Sequence, residues 1–163
     1  DSQRGDSARQ GLHPFVIQCI VHSQNHSLGY VDSLMKIASK VVFVFACVTG
    51  ALSVLTAAYV AHQHALPEDA VRSLHSSVQM QQIHALGLLV VALMAERSRY
   101  TSGLLVAAVS WVLGMVLFSF NIQLRQLAGL DMLKQAVPYG GMAYVLGWLA
   151  LGYAGLRHAS ADN

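Results

Sequence analysis

Charged residues are scarce in this sequence. Only 11% of its 163 residues are Asp, Glu, Lys or Arg, whereas 55% are hydrophobic. Soluble domains carry about 25% charged residues, so this chain has too little polar surface to cover a globule that faces water. The scarcity argues against an ordinary soluble domain and favours an integral membrane protein.

Cysteine pairs and basic clusters are also missing. The two cysteines, Cys19 and Cys47, lie far apart and form neither a CxxC pair nor a disulfide framework. Net charge is only +2, and basic residues do not cluster with aromatic ones. We therefore expect no nucleic-acid partner.

Acidic residues are absent from the central thirds of the apolar stretches. Pumps and proton relays usually need such a residue, so its absence argues against an ion-coupled transporter. The sequence also has no HExxH, Walker A, dinucleotide-binding or Gly-x-Ser-x-Gly motif. We predict that the protein is not an enzyme and has no cofactor.

Four long apolar stretches are present, at about 37–61, 76–95, 104–124 and 138–156. A helix of about 20 residues crosses the roughly 30 Å hydrocarbon core of a bilayer. The pattern predicts an all-α fold, an integral membrane four-helix bundle with up-down-up-down topology. The transmembrane domain covers 35–158, and 159–163 form a short tail.

Residues 1–34 differ in character, since they are mostly polar and their one apolar patch, 15–21, is too short to span. Met35 is followed by Lys36, Lys40 and an apolar run, as at the start of many bacterial membrane proteins. We expect Met35 to be the natural start. Residues 1–34 are then a disordered or non-native extension, either upstream reading frame or a remnant of cloning.

Basic residues near the helix ends predict the orientation. One side holds five of them: Lys36, Lys40, Arg97, Arg99 and Arg157. The other side holds three: Arg72, Arg125 and Lys134. This asymmetry places both termini in the cytoplasm, in a bacterial plasma (inner) membrane.

Glycines at helical spacing predict close helix packing. They lie in the first, third and fourth apolar stretches: Gly50, Gly114, Gly140, Gly141, Gly147 and Gly155. Such faces suit partners within the bilayer, so we expect a homo- or hetero-oligomer.

Polar residues within the apolar helices have two interpretations. The predicted interior set is Gln79, Gln82, Ser119, Asn121 and Gln123. These side chains either line a path for a solute or form hydrogen bonds that join helices. We favour the second interpretation.

Histidines supply candidate metal ligands in the transmembrane domain, namely His62, His64 and His84, and a metal-binding N-terminal tail with His13, His22 and His26 is a less favoured alternative. Imidazole suits zinc, copper and iron, so His84 paired with His62 or His64 predicts a metal or haem site. The alternative is that these histidines bind headgroups, water or carbonyl oxygens, and we favour it.

Several stretches together resemble a known family. They are AHQHAL at 61–66, QQIHALGLL at 81–89, LGMVLFS at 113–119 and VPYGGMAYVLGWLAL at 137–151. In this order they resemble the small four-helix membrane proteins called domain of unknown function 423, whose eukaryotic relatives are transmembrane protein 256. The residues that match the family motifs are His62, Gln81, His84, Gly114, Ser119, Pro138, Gly140, Gly141, Gly147 and Trp148. Phe120 departs from the family, which has glycine there, and Val137 stands where threonine is usual.

The resemblance implies the fold but no activity. The function expected is therefore that of a non-enzymatic structural or accessory component of a membrane assembly. Two alternatives stay open: a small transporter or channel for a neutral polar solute, and a haem- or copper-binding membrane protein.

Overall fold

A computed structural model describes residues 4–97, 102–131 and 134–161, with side chains at Tyr30 and over 33–96, 102–131 and 135–157. Arg99, one of the predicted cytoplasmic charges, and the last two residues of the predicted tail lie outside the described residues. The chain divides into two units, Asp1–Ile37 and Ala38–Asn163. All contacts given below lie within the second unit.

The described chain is helical and contains no strand. Five α-helices follow one another: α1 Arg4–Ala61, α2 Glu68–Arg97, α3 Ser102–Gly114, α4 Asn121–Ala128 and α5 Val137–Ala161. A π-helix, Met115–Phe120, joins α3 to α4, so these three segments form one long rod, and a short 3-10 helix, Lys134–Ala136, precedes α5. The all-α prediction is confirmed. The bundle has four helical rods in the described residues: α1, α2, the continuous α3–α4 rod, here called the third rod, and α5.

Two helices begin earlier than their apolar runs. The prediction placed the first two starts near residues 37 and 76, whereas α1 begins at Arg4 and α2 at Glu68. Hydropathy marks where a helix becomes apolar, but helical hydrogen bonds are local and continue into polar sequence. At α2 the chain supplies a start signal as well, because Glu68 and Asp69 carry negative charge into the first turn.

Three of the described helical rods are long and apolar enough to cross a membrane: Ser33–Ala61, Glu68–Glu96 and Ser102–Ala128. The fourth, α5, has 25 residues, which corresponds to about 37 Å at the usual helical rise. Its apolar residues are interrupted by glycines and tyrosines, and it packs along α3. The architecture is that of a membrane helical bundle.

Contacts between neighbouring rods define the topology. Ser39 and Thr49 of α1 contact Ala92 and Gln81 of α2. The residue numbers rise on one helix as they fall on the other, so the two helices are antiparallel. Neighbours farther along the chain pair in the same way, which confirms the up-down-up-down order.

The α3 rod and α5 pack through a series of small-against-large contacts, here called the packing ladder. A Cβ atom added to Gly140 would overlap the backbone of Phe118, and one on Gly114 would overlap the ring of Tyr144. Further along, Gly147 lies against Trp111 and Gly103 against Ala154. In each pair the two residue numbers add to 257 or 258, so the ladder is one continuous antiparallel register.

The end of the third rod is shaped by a single glycine. Gly129 adopts φ 67° and ψ 16°, a left-handed conformation that favours glycine. The amide of Gly129 donates to the carbonyl of Arg125 at 3.1 Å, and that of Leu130 donates to Leu124 at 3.3 Å. These bonds satisfy the last carbonyls of α4 and stop the rod before the connection to α5.

Candidate functional site

His84 lies at the centre of the bundle and is only 3% exposed. Its Nε2 atom is 3.2 Å from Nε1 of Trp148, and its Nδ1 atom is 2.7 Å from the carbonyl oxygen of Met80. An indole N–H can only donate, so Nε2 must accept from Trp148. The proton of the neutral ring therefore sits on Nδ1 and is donated to Met80. Both ring nitrogens have partners.

Three aromatic rings surround His84 and form what we call the aromatic cage. Tyr144 stacks on the imidazole with 3.7 Å between ring centroids and 16° between planes. Trp111 and Trp148 approach edge-on, with centroids at 5.7 and 6.1 Å. The cage joins α2, α3 and α5 around one side chain.

Hydrogen bonds fix two of the cage rings in place. The Tyr144 hydroxyl lies 2.8 Å from the Ser119 hydroxyl, which is fully buried in the π-helix. The Trp111 indole donates to the Tyr144 carbonyl at 3.2 Å. Each polar atom of these rings therefore has a protein partner, as buried polar groups require.

A second polar cluster, here called the amide chain, lies beside the cage. Gln81 is fully buried, and its amide nitrogen donates to the Thr49 carbonyl at 2.8 Å. Its amide oxygen accepts from Gln123 at 2.7 Å, and the same Gln123 nitrogen is 3.5 Å from the Ser77 hydroxyl. The amide chain connects α1, α2 and α4.

Chemically, the cage and the amide chain are neutral and satisfied. Neither contains a carboxylate, and within the described residues no group of three or more His, Cys, Asp or Glu side chains could hold a metal ion. Both His84 nitrogens are occupied by hydrogen bonds, which leaves no free lone pair for a ligand in this arrangement. The cluster is suited to position helices.

The three histidines predicted to bind metal lie in different places. His62 and His64 are exposed in the connection between α1 and α2. His84 lies sixteen residues after the start of α2 at Glu68, a separation of about 24 Å along the helix axis. A metal site that joins them stays a prediction, and this separation does not favour it.

The five residues of the predicted polar interior are distributed differently. Ser119 and Asn121 are buried, Gln123 and Gln82 are half-buried, and Gln79 is exposed. The Asn121 amide donates to the Leu117 carbonyl of its own rod at 3.1 Å. Of the five, only Ser119 and Gln123 enter the cage and the amide chain.

The six glycines predicted to pack against neighbouring helices also differ in their surroundings. Gly114, Gly140 and Gly147 belong to the packing ladder, and Gly50 faces the Ala85 methyl group. Gly141 and Gly155 have no neighbour within 4 Å of an added Cβ atom among the described residues.

Sequence reasoning did not assign a role to several central residues. They are Gln81, Thr49, Trp111, Gly87 and Gly103. For Gln81, the sequence did contain a helical pattern that could have shown its position. Leu74, Ser77, Gln81 and Leu88 recur at helical spacing, and all are fully buried on one face of α2. That period selects Gln81 as the inward amide in place of Gln79.

A shallow groove of about 610 Å³ opens at the end of the bundle where α2 and α5 begin. Two arginines, Arg72 and Arg125, lie on its wall. The rest of the lining consists of two serines, Ser73 and Ser76, and four apolar side chains, Phe118, Ile122, Val137 and Pro138. We call it the arginine groove.

Comparison with known proteins places these features in a family. The family described as protein of unknown function DUF423 matches residues 56–141, more than half of the chain. The chain belongs to the DUF423 family. The matched range holds His84, Trp111 and Ser119, and it includes α2, the whole third rod and the first turn of α5.

Relatives in the DUF423 family are bacterial membrane proteins by name. The UPF0382 membrane protein YwdK of Bacillus subtilis is 27% identical over 121 residues, which cover 73% of this chain and 98% of the relative. A UPF0382 membrane protein of Haemophilus influenzae is 27% identical over 69% of this chain and 90% of its own length. A UPF0382 membrane protein of Staphylococcus epidermidis is 29% identical over 74% of this chain and 98% of its own length. No solved structure matches the chain.

Proposed function

We propose that this DUF423 membrane protein is a non-enzymatic accessory component of a membrane assembly. The observation that carries the proposal is the closed interior. His84 and Gln81 direct their side-chain polar atoms at protein partners rather than at a cavity, and the amide nitrogen of Gln123 does the same. An interior of this kind holds helices in a defined arrangement and offers no free base or nucleophile.

The outer surface supports the same proposal. Large apolar side chains are exposed on α1, α2 and α5, among them Leu55 (67%), Leu86 (65%) and Leu149 (66%). In a bilayer these faces contact lipid tails or the helices of a partner, because both are equally apolar. A rigid interior with broad apolar faces suits a protein that associates laterally, with itself or with other membrane proteins.

The names of the relatives and the distribution of basic residues support a proposed location. Bacterial relatives are named membrane proteins, and we propose the plasma (inner) membrane with both termini in the cytoplasm. A cysteine-reactivity scan on intact cells tests the orientation. Cysteines introduced at Gln63 and Asp131, in the two connections on one side, should react with an impermeant maleimide, and one at Lys36 should not.

Photo-crosslinking in native membranes tests the assembly proposal. A photoreactive amino acid is placed at Leu55, Leu86 or Leu149, one exposed position on each of three helices. We expect a crosslinked protein of defined mass from at least one position, and native mass spectrometry in mild detergent should show a species larger than the 17.6 kDa monomer. A monomer with no crosslink from any of the three positions contradicts the proposal.

Proteoliposomes distinguish the transport alternative. Vesicles that contain the purified protein should swell no faster in glycerol or urea than empty vesicles do. Faster swelling, abolished when Gln81 is replaced by Leu, would show that the amide chain is part of a solute path.

A further inference from the structure

The arginine groove combines positive charge with apolar surface. Two guanidinium groups, of Arg72 and Arg125, face the same space, and the rest of the wall is largely apolar. Its volume, about 610 Å³, is within the roughly 300–1,000 Å³ typical of small-molecule sites. A cationic rim above an apolar wall is the surface expected for an anionic amphiphile.

We propose that the arginine groove binds an anionic phospholipid. Arg72 and Arg125 contact the headgroup phosphate, and Phe118 and Ile122 contact the upper part of the acyl chains. The site adjoins the aromatic cage, because the ring of Phe118 lies edge-on to that of Tyr144 at 5.9 Å, but the proposed accessory function neither requires the site nor predicts it.

Charge is the first support for this site. No carboxylate is among the residues that line the groove, although Glu68 and Asp69 are near Arg72 in sequence. The guanidinium groups are therefore available to an external anion. Arginine binds phosphate with two parallel hydrogen bonds, which makes it well suited to a phosphate group.

The position of the groove supports a lipid rather than a soluble anion. Arg72 is in the second turn of α2, Arg125 is in the last turn of α4, and Pro138 is in the first turn of α5. Helix ends of a membrane bundle lie at the level of the headgroups, where an arginine can contact a lipid phosphate. Val137 and Pro138 give the groove an apolar wall that a free phosphate ion does not use.

Native mass spectrometry of the full chain tests the proposal. The protein is titrated with dioleoyl-phosphatidylglycerol and, separately, with dioleoyl-phosphatidylcholine. We expect retention of the anionic lipid, with affinity about tenfold lower in Arg72→Gln or Arg125→Gln and about a hundredfold lower in the double variant. These factors correspond to the loss of one charge-assisted hydrogen bond per arginine.

Arg157→Gln is the matched control. Arg157 is exposed at the other end of α5, where its guanidinium lies 5.2 Å from the ring centroid of Tyr153. Its loss should change phosphatidylglycerol affinity by less than twofold. The Arg72→Lys/Arg125→Lys variant keeps the charge and should retain more of the affinity than the double Gln variant. Should the double Gln variant misfold, the single variants carry the test.

The source of the phosphate is tested by competition. Inorganic phosphate and glycerophosphoglycerol should fail to displace phosphatidylglycerol at equal concentration, because they lack acyl chains. Displacement by either of them would overturn the lipid assignment in favour of a soluble phosphate. Equal phosphatidylglycerol affinity in wild type and both single variants, or an equal loss in Arg157→Gln, would overturn the site itself.

Discussion

The contact between the third rod and α5 differs in kind from the contact between α1 and α2. Along the packing ladder, the rings of Trp111 and Tyr144 fill spaces that glycines leave open. Between α1 and α2, side chains donate to backbone carbonyls of the neighbouring helix, Ser39 to Ala92 at 2.9 Å and Gln81 to Thr49 at 2.8 Å. The first interface also has two hydrogen bonds, from Trp111 to the Tyr144 carbonyl and between Tyr144 and Ser119, so what sets it apart is the close fit of large rings against glycines.

The difference shows how a bundle is specified inside a bilayer. Lipid tails are as apolar as leucine, so burying apolar surface does not select a particular neighbour. Close packing and hydrogen bonds do select one. Overpacking a rigid contact commonly costs about 1–3 kcal/mol, whereas side-chain hydrogen bonds within membranes average about 0.6 kcal/mol. We therefore expect the ladder to be more sensitive to substitution.

The largest effect is expected at Gly147. A Cβ atom there would overlap the indole of Trp111, which is fully buried and hydrogen-bonded to Tyr144 and therefore cannot move aside. Gly147→Ala should lower the free energy of unfolding by about 2 kcal/mol. Reversible unfolding in mixed micelles, followed by circular dichroism, measures the change.

Gly152→Ala on the same helix is the control. No described atom lies within 4 Å of an added Cβ atom at Gly152. Alanine is a better helix former than glycine, so stability should stay the same or rise by up to about 1 kcal/mol. Equal destabilisation by both substitutions would show that helix flexibility, and not the ladder, is what the glycines supply.

An intermediate effect is expected at Gln81. Replacement by Leu removes the bond to Thr49 and leaves the amide of Gln123 without its closest partner. We expect a loss of about 1 kcal/mol, measured by the same unfolding assay. Gln79→Leu, an exposed position two residues earlier, should cost nothing. A loss as large as that of Gly147→Ala would remove the contrast between the two interfaces.

The smallest effect is expected at Tyr144, where both kinds of contact meet. Tyr144→Phe keeps the ring against Gly114 and the stack on His84 but removes the bond to Ser119. The expected loss is about 0.6 kcal/mol. A double-mutant cycle with Ser119→Ala isolates that bond, and Tyr139→Phe, at an exposed position, is the control. Zero coupling in the cycle contradicts the bond as a stabilising contact.

Hydropathy was sufficient to predict the fold class, because a bilayer requires long apolar helices whose backbone groups are paired internally. It also placed the start of α5 at Pro138, one residue after the observed start at Val137. The starts of α1 and α2 were harder to predict, since polar residues extend both helices beyond their apolar segments. The π-helix Met115–Phe120 has no sequence marker, because one extra residue per turn leaves composition unchanged.

The candidate site was less predictable than the fold. Composition identified glutamines and a histidine but could not tell which of them point inward. Gln79 and Gln82 were predicted to face the interior because they are polar residues in an apolar helix, whereas the amide that points inward is that of Gln81. The aromatic cage depends on pairs of rings that lie far apart in the sequence, Trp111 with Trp148 and His84 with Tyr144. The residues next to a ring in the sequence do not indicate which distant ring it contacts.

The constant register of the packing ladder has a consequence for motion. Trp111 and Phe118 are seven residues apart, as are Gly147 and Gly140, so a small slide of α5 along α3 would drive both large side chains into neighbouring turns at once. The next comparable fit is a heptad away, about 10 Å. Thermal fluctuation cannot sample the positions between, because each is blocked by overlap. We therefore expect the third rod and α5 to move as one body in any conformational change.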